Sequence, residues 1–169
     1  MYWNKPIETM KRSTLERIQL ERLQETVRRV YQNVPVYRER MQEKGLEPED
    51  IQTLEDIRKL PFTEKSDLRD NYPYGLFAAP QEEIVRIHAS SGTTGKPIVA
   101  GYTQHDLQVW AEVVARCLGC AGVDRTDTVQ VAYGYGLFTG GPALHYGVDR
   151  YLQPLHRFPF RLSPPVWYS

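Results

Sequence analysis

The sequence predicts an α/β fold in which a charged helical region precedes the start of an incomplete sheet. Three observations carry this. Apolar residues recur at helical spacing through the first 70 residues, and short β-branched runs alternate with helical stretches from residue 84 onward. Near residue 148 the alternation breaks off into a segment rich in Pro, Arg and aromatic residues.

Between Met10 and Val34, the residues Leu15, Ile18, Leu23, Val27, Val30 and Val34 recur at helical steps. Arg12–Glu16, Arg17–Glu21 and Glu25–Arg29 stand at i,i+4 on the other faces, so this charge run is a solvent face rather than a binding site. Pro35 suits the first turn of a second helix and Gly45 its end. Thr53-Leu-Glu-Asp56 has the form of a capping box, with Asp in place of Glu or Gln, and Leu54, Ile57 and Leu60 behind it. Pro61 stops that helix, and Thr63 is placed to cap another. Residues 1–72 therefore read as one compact helical region.

After Tyr72 the character changes. "NYPYGLFAAP" is a turn-rich connector, and "EEIVRIHAS" and "PIVAGYT" are short strands. Thr103 caps a helix whose Leu107, Trp110, Val114 and Cys117 form an apolar face, with Trp110 read as core. "DTVQVAY", residues 127–133, reads as a buried strand, and "GYGLFTGGPALHYG" as a Gly-rich turn leading into a helix. From Val148 to Ser169 no helical or strand period persists, and Pro154, Pro159, Pro164 and Pro165 block regular pairing.

Composition narrows the partners. Lys+Arg and Asp+Glu both number 21, so the formal net charge is zero, and a nucleic-acid partner is not expected. The start "MYWNKPIETMKRS" has no apolar signal core and no stretch reaches membrane-spanning length, so the expected location is cytoplasmic with no membrane partner. Cys117 and Cys120 form a C-x-x-C. No second Cys/His pair completes a zinc site, and redox motifs of this kind sit at helix N-termini. They read as small core residues near a helix end.

The stretch "IHASSGTTGKPIVAGYT", residues 87–103, carries the chemistry. Ser90, Ser91, Thr93 and Thr94 surround Gly92 and Gly95, and Lys96-Pro97 follows. A Walker loop would need glycine at position 90 and Ser or Thr after the lysine; Ser90 and Pro97 stand there instead. The composition still suits a polyphosphate: glycines let backbone N–H groups approach oxygens, hydroxyls donate, and one lysine offsets charge. A Ser/Gly linker is the alternative, but it needs neither this residue order nor a strand on each flank.

A second string, Tyr133-Gly-Tyr-Gly-Leu-Phe-Thr-Gly-Gly141, lets the backbone pass close to a ligand while Tyr135 and Phe138 wall an aryl pocket. The alternative is that both are ordinary core aromatics beside a turn.

Ser90-Ser-Gly-Thr-Thr-Gly-Lys-Pro97 resembles the signature phosphate loop of the adenylate-forming superfamily. The closer resemblance is to the phenylacetate–CoA ligase family. It rests on "SSGTTGKPIVAGYT", with a β-run where most of the superfamily has Lys-Gly, on "YGYGLFTGG", on "HYG" at 145–147, and on "NVPVYRERM" and "LPFTEKSDLRDNYPYGLFA". It covers about residues 1–147.

The resemblance implies that residues 73–147 are the first part of an AMP-binding α/β domain. It implies an acyl-adenylate made from Mg·ATP and an aryl acid, phenylacetate foremost, and then a thioester with coenzyme A. Ser90, Ser91, Gly92, Thr93, Thr94, Gly95 and Lys96 would hold the phosphates, and Tyr135, Gly136 and Phe138 would line the acid pocket. His145 would sit near the acid carboxylate or serve as a satisfied core histidine. No residue is implied as catalytic, and a homodimer is admitted.

The family's later nucleotide-contacting motifs and its C-terminal lysine have no counterpart here. We therefore expect the 169-residue chain alone to be inactive, and residues 148–169 to be an aberrant end such as a shifted reading frame. Two alternatives stay open: a non-catalytic fragment with weak nucleotide or partner binding, and a relative that adenylates another aryl acid.

Overall fold

The computed structural model describes residues 2–90, 98–124, 126–131 and 140–152. A short helix α1 (Lys5–Glu8) leads into α2 (Arg12–Asn33). As its periodicity predicts, α2 buries Val27 and half-buries Leu15, Ile18, Leu23 and Val30. Its exposed face carries the Arg12–Glu16 and Arg17–Glu21 pairs at 2.8 and 2.6 Å.

Val34 is extended, as the residue before a proline prefers, so α2 ends there and α3 (Pro35–Glu43) begins with Pro35 in its first turn. Gly45, at φ 63°, closes α3 in a left-handed turn. Its N–H donates to the Gln42 carbonyl and that of Leu46 to the Met41 carbonyl, both at 2.9 Å, which satisfies two end carbonyls in a Schellman pattern. That turn brings Leu46 back onto the helix pair. Val27, Met41, Leu46 and Ile51 then close a core flanked by Leu23, Tyr31 and Leu60.

The capping box at Thr53 forms as predicted. The backbone N–H of Thr53 donates to Asp56 Oδ2 at 2.7 Å, opening a 3-10 turn over Leu54–Lys59. Helix α4 (Lys65–Asp70) is capped one residue later than the sequence suggests. Glu64 occupies the cap and its N–H donates to Asp67 at 2.7 Å, whereas Thr63 turns to hydrogen-bond the Tyr37 hydroxyl. The third carboxylate in register is what moved the cap.

Strands β1 (Ile84–Ala89) and β2 (Val99–Thr103) pair antiparallel as a hairpin, with Ile87 opposite Gly101 and Ala89 opposite Val99. The register shifts between Ile84 and Arg86, a bulge near the hairpin's base. The connector packs against β2 at Gly101, where an added Cβ would lie 2.6 Å from the Phe77 ring.

Thr103 ends β2 and caps α5 (Gln104–Cys120), accepting from the Asp106 N–H at 3.2 Å while its own N–H donates to Asp106 at 2.8 Å. Helix α6 (Gly140–Leu152) lies against α5. The closest approach uses small residues: Ala111, Ala115 and Gly119 are buried on α5, and a Cβ on Gly147 would lie 2.1 Å from Val114 Cγ1.

Three expectations change. Cys117 and Cys120 are exposed free thiols, because the Ala111–Ala115–Gly119 line faces α6 and turns both cysteines outward. Of the strand expected over 127–133, residues 127–131 are in no strand and residues 132 and 133 lie outside the described residues; among the described residues β1 and β2 pair only with each other. The helical period does not stop at 148, since α6 continues to Leu152 with Val148 and Tyr151 buried.

Candidate functional site

In sequence the hydroxyl-rich stretch joins β1 to β2, and the described residues at its two ends are Ser90 and Ile98. Ser90 and Ile98 close the neck: the Ser90 N–H donates to the Ile98 carbonyl at 2.9 Å, and the Ile98 N–H donates to Ser90 Oγ at 3.3 Å. Ser90 thereby fixes where the loop leaves and re-enters the sheet. Ser91, Gly92, Thr93, Thr94, Gly95 and Lys96 lie outside the described residues, as do Tyr135, Gly136 and Phe138.

Below the neck, His88 is buried, with its ring edge toward Tyr102 at 5.3 Å and Trp110 at 6.0 Å. Tyr102 and Trp110 stack at 5.0 Å. Burial, with the Asp106 charge as the lesser cause, pushes the Tyr102 hydroxyl above its ordinary value. These rings seat the hairpin on α5, and Trp110 is half-buried as a core aromatic should be. A shallow groove of about 450 Å³ opens beside them, lined by Gly101, Tyr102, Asp106, Val109, Trp110 and Val113.

Helix α6 starts at Gly140, within the end of the aromatic-glycine string, and carries His145, which pairs with Asp149 at 3.3 Å one turn along. The imidazole also meets the Tyr146 ring edge-on at 5.8 Å. Tyr146 reaches β1: its hydroxyl accepts a hydrogen bond from Arg86, and the guanidinium carbon lies 4.8 Å from the ring centroid. Strand β1, which leads into residues 91–97, is thus tied to helix α6.

Glu112 on α5 gathers a second set of ties. It accepts from Trp3 Nε1 at 2.9 Å, Asn4 Nδ2 at 3.2 Å, Arg150 Nε at 2.9 Å and Arg116 Nη2 at 3.3 Å. Burial alone would push its carboxyl up, but these four donors together outweigh it and hold the pKa at about 2. Trp3 also packs on Tyr151 at 5.2 Å, whose hydroxyl donates to the Val123 carbonyl at 2.6 Å. The chain's first residues are therefore fastened to α5 and α6.

Sequence reasoning did not assign Arg86, Tyr146 or Glu112. "HYG" was visible as a motif, but nothing local marks which strand residue its tyrosine meets. Among the described residues, no cluster of three or more His, Cys, Asp or Glu side chains could hold a metal ion. No described helix is long and apolar enough to cross a membrane.

No family model matches the chain. The phenylacetate–coenzyme A ligase of Pseudomonas putida is 59% identical over 145 residues, which is 86% of this chain and 33% of that protein. That of Escherichia coli strain K12 is 54% identical over the same length, and that of Thermus thermophilus 53% identical over 149 residues. Among solved structures, 2-hydroxyisobutyryl-CoA ligase in complex with 2-HIB-AMP and CoA in the thioesterification state matches with a TM-score of 0.81 at 30% identity. That match covers 89% of this chain and 33% of the other. The same ligase in the postadenylation state with 2-HIB-AMP matches at 0.79 and 29%. The chain spans about a third of the length of the curated relatives it matches. Over that span it has the start of the adenylate-forming ligase fold, and it belongs to the phenylacetate–CoA ligase family.

Proposed function

We propose that this chain carries the phosphate-loop portion of an AMP-forming ligase that joins an aryl acid, phenylacetate foremost, to coenzyme A. The observation that supports it is the Ser90–Ile98 clamp at the two ends of "SSGTTGKP", in a chain 53–59% identical to such ligases. In the first step a carboxylate oxygen attacks the α-phosphorus of Mg·ATP, the bond to the bridging oxygen of the β-phosphate breaks, and pyrophosphate leaves. In the second, the thiol sulfur of coenzyme A attacks the acyl carbon, the bond to AMP breaks, and the thiol proton passes to solvent.

Within this scheme Ser91, Gly92, Thr93, Thr94, Gly95 and Lys96 hold the β- and γ-phosphates, where backbone and hydroxyl donors stabilise the charge growing on pyrophosphate. Lys96 is the mobile cation. Tyr135, Gly136 and Phe138 wall the aryl group, and His145 lies on the helix that continues from that wall.

The test replaces the matching stretch of the Pseudomonas putida ligase with residues 1–147 of this chain. Thioester formation is then measured with phenylacetate, benzoate and a short aliphatic acid. Phenylacetate should give the highest kcat/KM. No thioester from any acid, in a folded chimera, would overturn the reading; a stronger response to benzoate would change the acid and keep the reaction.

A further inference from the structure

We infer that Arg86 and Tyr146 are positioning residues, a tie that holds β1, which leads in sequence into the proposed phosphate-binding residues, to α6, which continues from the proposed acid-pocket residues. The inference rests on the proposed function for its catalytic meaning, but the tie itself is on the page. Arg86 lies in β1, a few residues before Ser90, where the strand hands over to the loop. Tyr146 lies on α6, which begins as the aromatic-glycine string ends.

Two contacts made by the same pair join these elements. The guanidinium donates to the Tyr146 hydroxyl and also lies over its ring, 4.8 Å from the centroid. A planar cation can do both where an ammonium cannot, because its face stacks while its edge donates. Both side chains are half-buried, so solvent competes weakly for the hydrogen bond.

Each end of the tie is held by something rigid. Tyr146 is followed by Gly147, where an added Cβ would lie 2.1 Å from Val114 Cγ1, so α6 packs closely on α5 at this point. Arg86 shares its sheet face with His88, whose buried ring abuts Tyr102 and Trp110. The tie therefore joins two held elements, β1 and α6, rather than two loose ones.

The hold of β1 on α6 matters for one half of the proposed reaction. Adenylate formation needs the carboxylate and the α-phosphorus in line, with one substrate held from the acid wall and the other from the phosphate loop. Displacement by about 1 Å can cost up to a hundredfold in rate even when each substrate still binds. Thioester formation from a finished acyl-adenylate involves no pyrophosphate and makes no demand on the loop.

Two experiments decide it. In the 169-residue chain itself, amide exchange is read at Ser90, whose N–H closes the loop neck, and at Leu46 in the separate N-terminal core. Tyr146→Phe should speed exchange at Ser90 by about fivefold and leave Leu46 unchanged. Equal change at both sites, or none at Ser90, would overturn the tie. In the chimera, Tyr146→Phe keeps the ring and Arg86→Met removes both contacts. Adenylation should fall by about tenfold for the second and less for the first, with the KM of each substrate little changed. Thioester formation from supplied phenylacetyl-adenylate should stay as it was. Parallel loss in both half-reactions would mean a merely structural role and overturn the inference. A chimera with no activity before any substitution would strike the proposed function, and the exchange measurement would still decide the tie.

Discussion

Arg40 forks onto the carboxylate of Asp67, donating at 2.8 and 2.5 Å, and so locks α3 to the first turn of α4. Arg40 also donates to the Phe62 carbonyl at 3.1 Å, which pins the segment between them. The fork, with the Glu64 N–H as the next cause, lowers the Asp67 pKa to about 2. A carboxyl depressed on folding contributes stability above its ordinary range and loses it as pH falls through the folded value. The thermal midpoint of the native chain should therefore decline as pH drops from about 5 towards 2. Asp67→Asn should start lower and decline less steeply; equal slopes would show that Asp67 is not a source of the acid sensitivity.

The Glu112 hub predicts a second acid-sensitive fastening. Its folded pKa of about 2 lies below the ordinary 4.5, so the stability it contributes is complete at neutral pH and is lost as pH falls from the ordinary value through the folded one. Glu112→Gln keeps the shape but weakens four charge-assisted contacts, at an expected cost of about 1–3 kcal/mol in urea unfolding. Trp3 fluorescence should change with it, since its indole donates to this carboxylate. Unaltered Trp3 emission and unaltered stability would contradict the hub.

Gly147 is the point where α6 cannot carry a side chain. An added Cβ would lie 2.1 Å from Val114 Cγ1 and 2.3 Å from Val114 Cβ. Gly147→Ala should cost about 1–3 kcal/mol, although alanine has the better helix propensity. Val114→Ala keeps the offending Cβ, so the double variant should remain destabilised. Full recovery in the double variant would show that the clash lies with the methyl groups alone.

Cys117 and Cys120 should both react rapidly with a thiol reagent in the native chain, because both are exposed. Slow reaction that speeds up only in denaturant would restore the view of them as core residues.

How much of this was legible depends on how local the cause is. Helix α2, the hairpin strands and the capping boxes at Thr53 and Thr103 are set by spacing and by neighbours within a few residues, and they formed as read. The apolar face read for α5 is half-buried at Leu107, Trp110 and Val114, and Val114 meets Gly147; it missed the buried small residues Ala111, Ala115 and Gly119 beside it and the exposure of Cys117 at its end. Residues 127–131 have a strand's alternation and no strand's partner. The ties that organise the candidate site are the least legible of all: Arg86 meets Tyr146 across 60 residues, and Trp3 meets Glu112 across 109.

The most direct test of the central claim is exchange of labelled pyrophosphate into ATP by the chimera that carries residues 1–147 of this chain. Exchange reads adenylate formation alone, without coenzyme A. The account predicts exchange that requires phenylacetate and Mg·ATP and falls sharply with Lys96→Ala. A folded chimera with no phenylacetate-dependent exchange, under conditions where the parent Pseudomonas putida ligase shows it, would contradict the account.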